Sequence, residues 1–227
     1  MSPEENERWL SHYRLPDVES EKLYSYQVAE YDRNEEFFSK RGFSFTIAKK
    51  LLPIAFLTVW DLFHLFSYSR SIPDGGAYLE IGSAVGGSLL CAFLATQLSG
   101  LSVSFIVIEP FQYGAIKKEK GTVEVQFQRN TKCISGLKVI KSTSDETKSK
   151  IDDSSVDLLF IDGDHRWEAV KRDIKNYFPK LKGNGVLLGH DYTTSFVPGV
   201  RKAADEVLGK RLSVLPNSCM FMARKEI

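Results

Sequence analysis

The sequence has few cysteines, almost no net charge and no signal-like start. Its three cysteines, Cys91, Cys133 and Cys219, lie far apart without CxxC spacing, which argues against a zinc site and against a disulfide framework. The formal net charge is +1, so the chain has no general electrostatic attraction to nucleic acid or to an anionic membrane. The first residues, MSPEENERWL, are acidic and polar, unlike a signal peptide, and we expect a cytoplasmic protein.

The sequence also lacks an uninterrupted hydrophobic run of membrane-spanning length. The candidate stretch is Leu51–Phe66, which is short for a spanning helix and contains Pro53, Asp61 and His64. We therefore expect no membrane partner, and this stretch predicts a buried core helix or a helix at a dimer interface.

The chain of 227 residues is long enough for one well-buried domain with additions, and it has no repeats or low-complexity linker. The turn-forming run SIPDGG, Ser71–Gly76, separates two kinds of pattern. Residues 1–72 are predicted to form a helical, aromatic-rich extension that acts as a lid or as the contact of a homodimer. Residues 73–227 are predicted to form the cofactor-binding domain.

After the turn, short apolar runs alternate with helical periods, which is typical of βαβ units. The apolar runs are continuous, as expected for parallel strands that helices cover on both faces. We predict a doubly wound α/β fold, Rossmann-like, with a mostly parallel seven-stranded sheet. The predicted strands are Ala77–Ile81, Ser104–Ile108, Lys138–Lys141, Asp157–Ile161 and Gly185–Gly189, followed by an antiparallel edge of Leu212–Leu215 and Met220–Ala223.

The turn Glu80–Gly87, after the first strand, has the context of a nucleoside-cofactor site. Gly82 permits a tight turn, and Gly86 and Gly87 would let a ligand approach the start of the next helix. The spacing is not the GxGxxG of dinucleotide enzymes. A carboxylate at Glu80 would face an amine rather than a pyrophosphate, which favours a cofactor with an amino-acid end over NAD.

Further candidates follow the later strands. Glu109, at the tip of the second strand, could accept hydrogen bonds from both hydroxyls of a ribose. The ends of the fourth and fifth strands would bring carboxylates and imidazoles together at the carboxyl edge of the sheet, where ligands bind in open α/β folds. These residues are Asp162, Asp164, His165, His190 and Asp191. Oxygen-rich groups of this kind suit Mg²⁺.

The motifs Glu80-x-Gly82, Glu109 and Phe160–His165 resemble those of class I S-adenosylmethionine-dependent methyltransferases. The run Ile161–Tyr192 with the following PGVRKAADEV is similar to small-molecule and sugar O-methyltransferases of the macrocin-type and cephalosporin hydroxylase-like group. The resemblance covers roughly residues 77–208 and implies S-adenosylmethionine as the cofactor. The cofactor contacts expected from the turn and the resemblance are Glu80, Gly82, Ser83, Gly86, Glu109, Ser142, Thr143 and Asp162, with Ser142 and Thr143 near the adenine.

The resemblance also implies a divalent cation, Mg²⁺ or Mn²⁺, held by Asp162 and Asp191. His190 stands at the third ligand position, where relatives have a carboxylate or an amide, and an imidazole shifts the preference toward a transition ion. Asp162 and His165 are the predicted catalytic residues, and a neutral His165 would take the proton of a substrate hydroxyl. His165 could instead only stabilise a helix start, and Asp164 could orient His165, bind the cation or cap the helix.

The expected activity is O-methylation of a small molecule, with a sugar or glycosylated metabolite as the acceptor that the resemblance favours. Two alternatives stay open at this point. One is an NAD-dependent oxidoreductase on a similar sheet, against which the glycine spacing argues. The other is a non-catalytic cofactor-binding module, against which the set of Asp162, His165 and Asp191 argues.

Overall fold

The computed structural model describes residues 17–112 and 120–226. Within these residues, four helices precede the sheet: α1 (Asp17–Arg33), α2 (Glu35–Ser39), α3 (Phe45–Ala55) and α4 (Val59–Ser69). The elements that follow are β1 (Ala77–Ile81), α5 (Gly87–Leu98), β2 (Ser104–Ile108), α6 (Lys120–Thr131), β3 (Lys138–Ile140), α7 (Ser144–Thr147), β4 (Val156–Ile161), α8 (Trp167–Tyr177), β5 (Leu181–Gly189), α9 (Pro198–Leu208), β6 (Leu212–Val214) and β7 (Phe221–Arg224).

The sheet has seven strands in the order β3-β2-β1-β4-β5-β7-β6. Strands β1 to β5 are parallel, whereas β7 runs antiparallel to β5 and β6 runs antiparallel to β7. This confirms the predicted fold, including the antiparallel edge. The strand order reverses direction between β1 and β4, and such a switch point is where open α/β sheets bind their ligands.

Side chains alternate along each strand between two buried layers, so both faces of the sheet are apolar. Tyr78, Phe160 and Leu188 point to the face that the N-terminal helices and α5 cover. Leu79, Ile161 and Leu187 point to the opposite face, which α8 and α9 cover. One continuous core therefore joins the N-terminal helices to the first face of the sheet.

The stretch Leu51–Phe66 is not one helix, as the sequence pattern suggested, but parts of two. Helix α3 ends where Phe56 adopts a left-handed backbone (φ 52°), and α4 begins at the N-cap Thr58. In the described part of the chain no single helix is long and apolar enough to span a membrane; α3 and α4 together meet that test but bend by 111° at their break.

The aromatic residues of the extension pack mostly on one another. Tyr31 stacks on Phe38 with ring centroids 5.2 Å apart, and Phe38 lies 4.7 Å from Trp60. The Tyr31 hydroxyl donates to the Phe43 carbonyl at 2.8 Å. These contacts hold α1 and α2 against α4, which fixes the position of α4 next to the sheet.

Candidate active site

The ends of four strands align along the carboxyl edge because backbone hydrogen bonds continue past the strands. The amides of Gly82, Asp162 and His190 donate to the carbonyls of Ile108, Ile81 and Ile161 at 3.0, 2.9 and 3.1 Å. The glycine turn after β1 therefore lies directly beside the acidic turn after β4, and that turn lies beside the one after β5. The sequence predicted that the turns after β4 and β5 meet at this edge.

Position 82 requires glycine because the backbone of the next turn lies against it. Its φ is +82°, and a Cβ there would lie 2.3 Å from the Asp162 carbonyl oxygen and 2.5 Å from the Gly163 Cα. Ala84, in the same turn, and Asp191 also have left-handed backbones, with φ of 45° and 61°. Non-glycine residues adopt this conformation rarely, and it is often found at functional sites.

Gly86 and Gly87 make room for neighbouring helices. A Cβ on Gly86 would lie 2.6 Å from Thr131 Cγ2 of α6, and one on Gly87 would lie 2.3 Å from the Ala55 Cα of α3. The ligand approach expected at Gly87 is thus taken by the backbone of α3. Gly86 caps α5 with φ of +85° and stays a predicted cofactor contact.

Glu80 is fully buried beneath the first turn of α5. Its carboxylate accepts hydrogen bonds from the Tyr78 hydroxyl at 2.7 Å and from the Ser88 hydroxyl at 2.6 Å. Burial raises its pKa to about 7, although the hydroxyls of Ser88 and Tyr78 act in the opposite direction. The Ser83 hydroxyl is buried and has no partner with hydrogen-bond geometry among the described residues. The contact of Glu80 with the methionine amine stays a prediction.

Glu109 fastens the glycine turn. Its Oε2 accepts from the amides of Ser83 and Ala84 at 2.9 and 3.0 Å, and its Oε1 accepts from the Phe111 amide at 2.8 Å. The side chain predicted to bind a ribose therefore lies against the turn predicted to cradle the cofactor.

Ser142 and Thr143 follow β3 at the same edge. The hydroxyls of both residues donate to Glu146 Oε2, at 2.5 and 2.9 Å. Their position near the adenine stays a prediction.

Asp162, His165, His190 and Asp191 form one cluster, which we call the Asp–His cluster. His165 Nε2 lies 3.3 Å from Asp162 Oδ1 and 3.0 Å from Asp191 Oδ2. His190 Nδ1 lies 3.4 Å and 3.5 Å from the same two oxygens. Asp191 Oδ2 is buried, and no donor in the described residues meets it with hydrogen-bond geometry. Asp164, by contrast, faces outward and pairs with Arg166.

The charges of the cluster are strongly coupled. Burial lowers the pKa of His165, but the Asp162 and Asp191 carboxylates outweigh burial and raise that pKa to about 9. Burial likewise opposes a rise in the pKa of His190, which the charges of Asp191 and Asp162 place well above its usual range. In return, the imidazoles outweigh burial and lower the pKa of both carboxyl groups. Two carboxylates and two imidazoliums balance one another in this state.

Sequence reasoning missed Asp61, which approaches the cluster from helix α4. Its Oδ2 lies 3.3 Å from His190 Nε2, although 129 residues separate the two in the chain. Asp61 is fully buried. The available signal was a carboxylate in an otherwise apolar stretch, but no local pattern could identify its partner.

The donor set fits a small divalent cation. Asp162, His165 and Asp191 each offer a ligand atom, and these atoms lie within 4.8 Å of one another. Neighbouring ligands of an octahedral ion at about 2.1 Å are roughly 3 Å apart, close to the 3.0–3.5 Å spacings of the cluster. Two carboxylates and an imidazole suit Mn²⁺ at least as well as Mg²⁺.

The fold is similar to those of solved O-methyltransferases. The structure of the O-methyltransferase NovP superposes with a TM-score of 0.60 at 15% identity, over 75% of this chain and 81% of that one. A TDP-rhamnose 3′-O-methyltransferase of calicheamicin biosynthesis superposes with a TM-score of 0.58 at 14% identity, over 92% of this chain and 94% of that one. At these identities the likeness concerns the fold.

Two curated relatives are uncharacterised proteins. One from Sinorhizobium fredii is 30% identical over 116 residues, which are 50% of this chain and 13% of that protein. One from Acanthamoeba polyphaga mimivirus is 28% identical over 146 residues, 60% of this chain and 63% of that protein. The chain thus matches less than two thirds of the length of either relative.

A family model described as a methyltransferase domain matches residues 79–192, which run from β1 through the acidic turn to Tyr192. The matched region contains the glycine turn, Glu109 and the whole Asp–His cluster. The chain belongs to this methyltransferase family.

Proposed function

We propose that this protein transfers a methyl group from S-adenosylmethionine to a hydroxyl of a small molecule, assisted by a divalent cation. The observation that carries the proposal is the position of the Asp–His cluster, directly beside the glycine turn at the switch point of a methyltransferase fold. A group that can hold a cation and take a proton thus lies next to the expected cofactor.

The cofactor end of the site is formed by the turns after β1, β2, β3 and β4. Glu109 binds the ribose hydroxyls. Glu80 lies beneath the first turn of α5 and anchors the methionine amine. The full set of proposed cofactor contacts is Glu80, Gly82, Ser83, Gly86, Glu109, Ser142, Thr143 and Asp162. When bound, S-adenosylmethionine supplies an activated methyl group, and the residues contribute by holding it in line with the acceptor oxygen.

The acceptor end is the Asp–His cluster. We propose that Asp162, His190 and Asp191 hold the cation and that His165 accepts the hydroxyl proton at Nε2. The charge of a bound cation would replace the charge of the protons on the two imidazoles, so that His165 would be neutral and able to accept a proton. When bound, the cation would lower the pKa of the acceptor hydroxyl. His165 has the more exposed imidazole of the two, with 14% of its side chain accessible against 7% for His190, which suits contact with the substrate.

The cluster also offers a second arrangement, in which His165 Nε2 is itself a ligand of the cation. A nitrogen that binds the cation cannot accept a proton. The two arrangements therefore predict different effects of the His190→Ala and His165→Ala substitutions on Mn²⁺ binding. In the proposed arrangement His190→Ala weakens Mn²⁺ binding and His165→Ala does not. The reverse result would assign His165 to the cation and leave the proton acceptor elsewhere.

A sugar or glycosylated metabolite is the proposed acceptor class. A vicinal diol can bind a cation through both oxygens, which would place one of them for methylation. The sequence resemblance to sugar O-methyltransferases and the similar fold of the TDP-rhamnose enzyme support this class.

The extension of residues 1–72 is proposed to cover the site or to form a homodimer contact, for which exposed Leu23 and Tyr26 of α1 are available.

The test begins with S-adenosylmethionine binding by calorimetry, with NAD as the comparison. Methyl transfer from labelled cofactor to a panel of nucleotide sugars and glycosides, with added Mn²⁺ or Mg²⁺, then identifies the acceptor by mass spectrometry. Asp162→Ala and His165→Ala are expected to lower turnover at least 100-fold, the usual size of a general-base contribution. Unchanged turnover in both variants would refute the assignment of this site.

A further inference from the structure

Asp61 is a charged residue in an apolar, buried helix that belongs to the extension rather than to the methyltransferase domain. Burying an ionised carboxylate is costly unless several partners compensate it. Asp61 is fully buried, and its two carboxylate oxygens lie within hydrogen-bond distance of Thr58, Cys219 and His190. The surroundings of Asp61 therefore favour its ionised form.

Three donors besides His190 fix the Asp61 carboxylate. The amide and hydroxyl of Thr58 donate to Oδ2 at 2.9 and 2.6 Å, and the Cys219 amide donates to Oδ1 at 2.8 Å. A helix cap requires only the Thr58 contact. The Cys219 and His190 contacts reach across to the sheet, so Asp61 does more than begin α4.

The same contacts brace the chain around Asp191. The Cys219 carbonyl accepts from the Tyr192 amide at 2.8 Å, so Asp61 supports the residue after Asp191 through the loop between β6 and β7. His190 Nε2 lies toward Asp61 at 3.3 Å, and this leaves Nδ1 directed at Asp162 and Asp191. A carboxylate behind a metal-binding imidazole commonly fixes its orientation.

We propose that Asp61 is a positioning residue, which holds the His190 ring so that Nδ1 completes the cation site. The N-terminal extension thereby supplies part of the acceptor end of the site. This inference rests on the proposed function, since it assigns His190 to the cation.

The test measures the affinity of the full chain for Mn²⁺ alone, by electron paramagnetic resonance of the free ion. Asp61→Asn keeps the size of the side chain but places an amide donor among the Thr58, Cys219 and His190 donors. We expect Mn²⁺ affinity to fall about 10- to 100-fold, with S-adenosylmethionine affinity within about twofold of the wild type. The matched control is His64→Asn, which removes another contact of α4 with the same loop, from His64 Nε2 to the Pro216 carbonyl at 2.9 Å; it should change neither affinity.

A double-mutant cycle separates positioning from general destabilisation. If Asp61 acts through His190, Asp61→Asn has no further effect on Mn²⁺ affinity in a His190→Ala background. Wild-type Mn²⁺ affinity in Asp61→Asn, with weakened binding in His190→Ala, would overturn the inference and leave the proposed function standing. Mn²⁺ binding that His190→Ala leaves unchanged would overturn both the inference and the proposed cation ligands.

The wild type alone provides a second measurement, should the variant fail to fold. In protein with ¹⁵N-labelled histidine, the His190 Nε2 proton is expected to exchange slowly with water and to show magnetization transfer to the Thr58 or Cys219 amide. Exchange as fast as that of an exposed imidazole would refute the contact with Asp61. If the wild type bound S-adenosylmethionine but no Mn²⁺, that result would refute the proposed cation site and the proposed role of Asp61.

Discussion

Gly82 combines two constraints that only glycine satisfies, a left-handed backbone and contact with the backbone of the next turn. We expect Gly82→Ala to lower the free energy of unfolding by at least about 3 kcal/mol, because strain in φ adds to the clash with Asp162. The matched control is Gly136→Ala, with φ of +72° and no atom within 4 Å of the added Cβ. It carries only the backbone strain, about 1–2 kcal/mol. Urea unfolding measures both, and equal losses would show that the close approach at Gly82 costs nothing.

The buried Glu80 predicts a pH dependence of stability. Burial raises its folded-state pKa from 4.5 to about 7, so between these pH values the folded protein binds more protons than the unfolded chain. Its contribution to the free energy of unfolding is therefore retained at low pH and falls by about 3 kcal/mol as the pH rises through that window.

Glu80→Gln removes this titration and keeps the size of the side chain. Relative to the wild type, the variant should gain stability from pH 5 to pH 8, measured by urea unfolding at each pH. A constant difference between the two proteins across that range would show that Glu80 is already ionised at pH 5.

At the scale of elements, the bounds of the strands could be predicted more accurately than the break between α3 and α4. The predicted β1 and β2 agree with the structure at both ends, because each is a continuous apolar run bounded by turn residues. Strand β5 begins at Leu181, four residues earlier than predicted. Lys182, Gly183 and Asn184 interrupt the apolar run from which the strand was predicted. Polar residues at the exposed start of a strand give no periodic apolar signal.

The break between α3 and α4 was missed because the apolar pattern runs through it without a pause. Two local signals were present: Pro53 near the end of α3, and the pair Thr58 and Asp61, whose spacing forms a capping box. The residues of the Asp–His cluster could be predicted, since strand ends of a parallel sheet meet at one edge. Asp61 could not, because its contact depends on how α4 packs rather than on any local spacing.

At the scale of the whole molecule, the sequence pattern divides the chain at residue 72 into an extension and a cofactor-binding domain. The packing of the core does not follow that division. Phe38, Leu51 and Leu62 of the extension share one core with Phe160 and Leu188 of the sheet. Asp61 adds a polar connection to the same boundary. Elements that share a core and a buried hydrogen-bond network are expected to unfold together.

Two tryptophans allow this cooperativity to be measured. Trp60 lies in the extension, with its indole nitrogen donating to Glu30, and Trp167 lies on α8, where it donates to Glu206. In variants that keep only one of them, with the other and Trp9 changed to Phe, we expect fluorescence to give the same urea midpoint at both positions. That midpoint should match the loss of helical circular dichroism. An earlier transition at Trp60 would mean that the extension unfolds on its own, and the site would then lose Asp61 before the sheet itself comes apart.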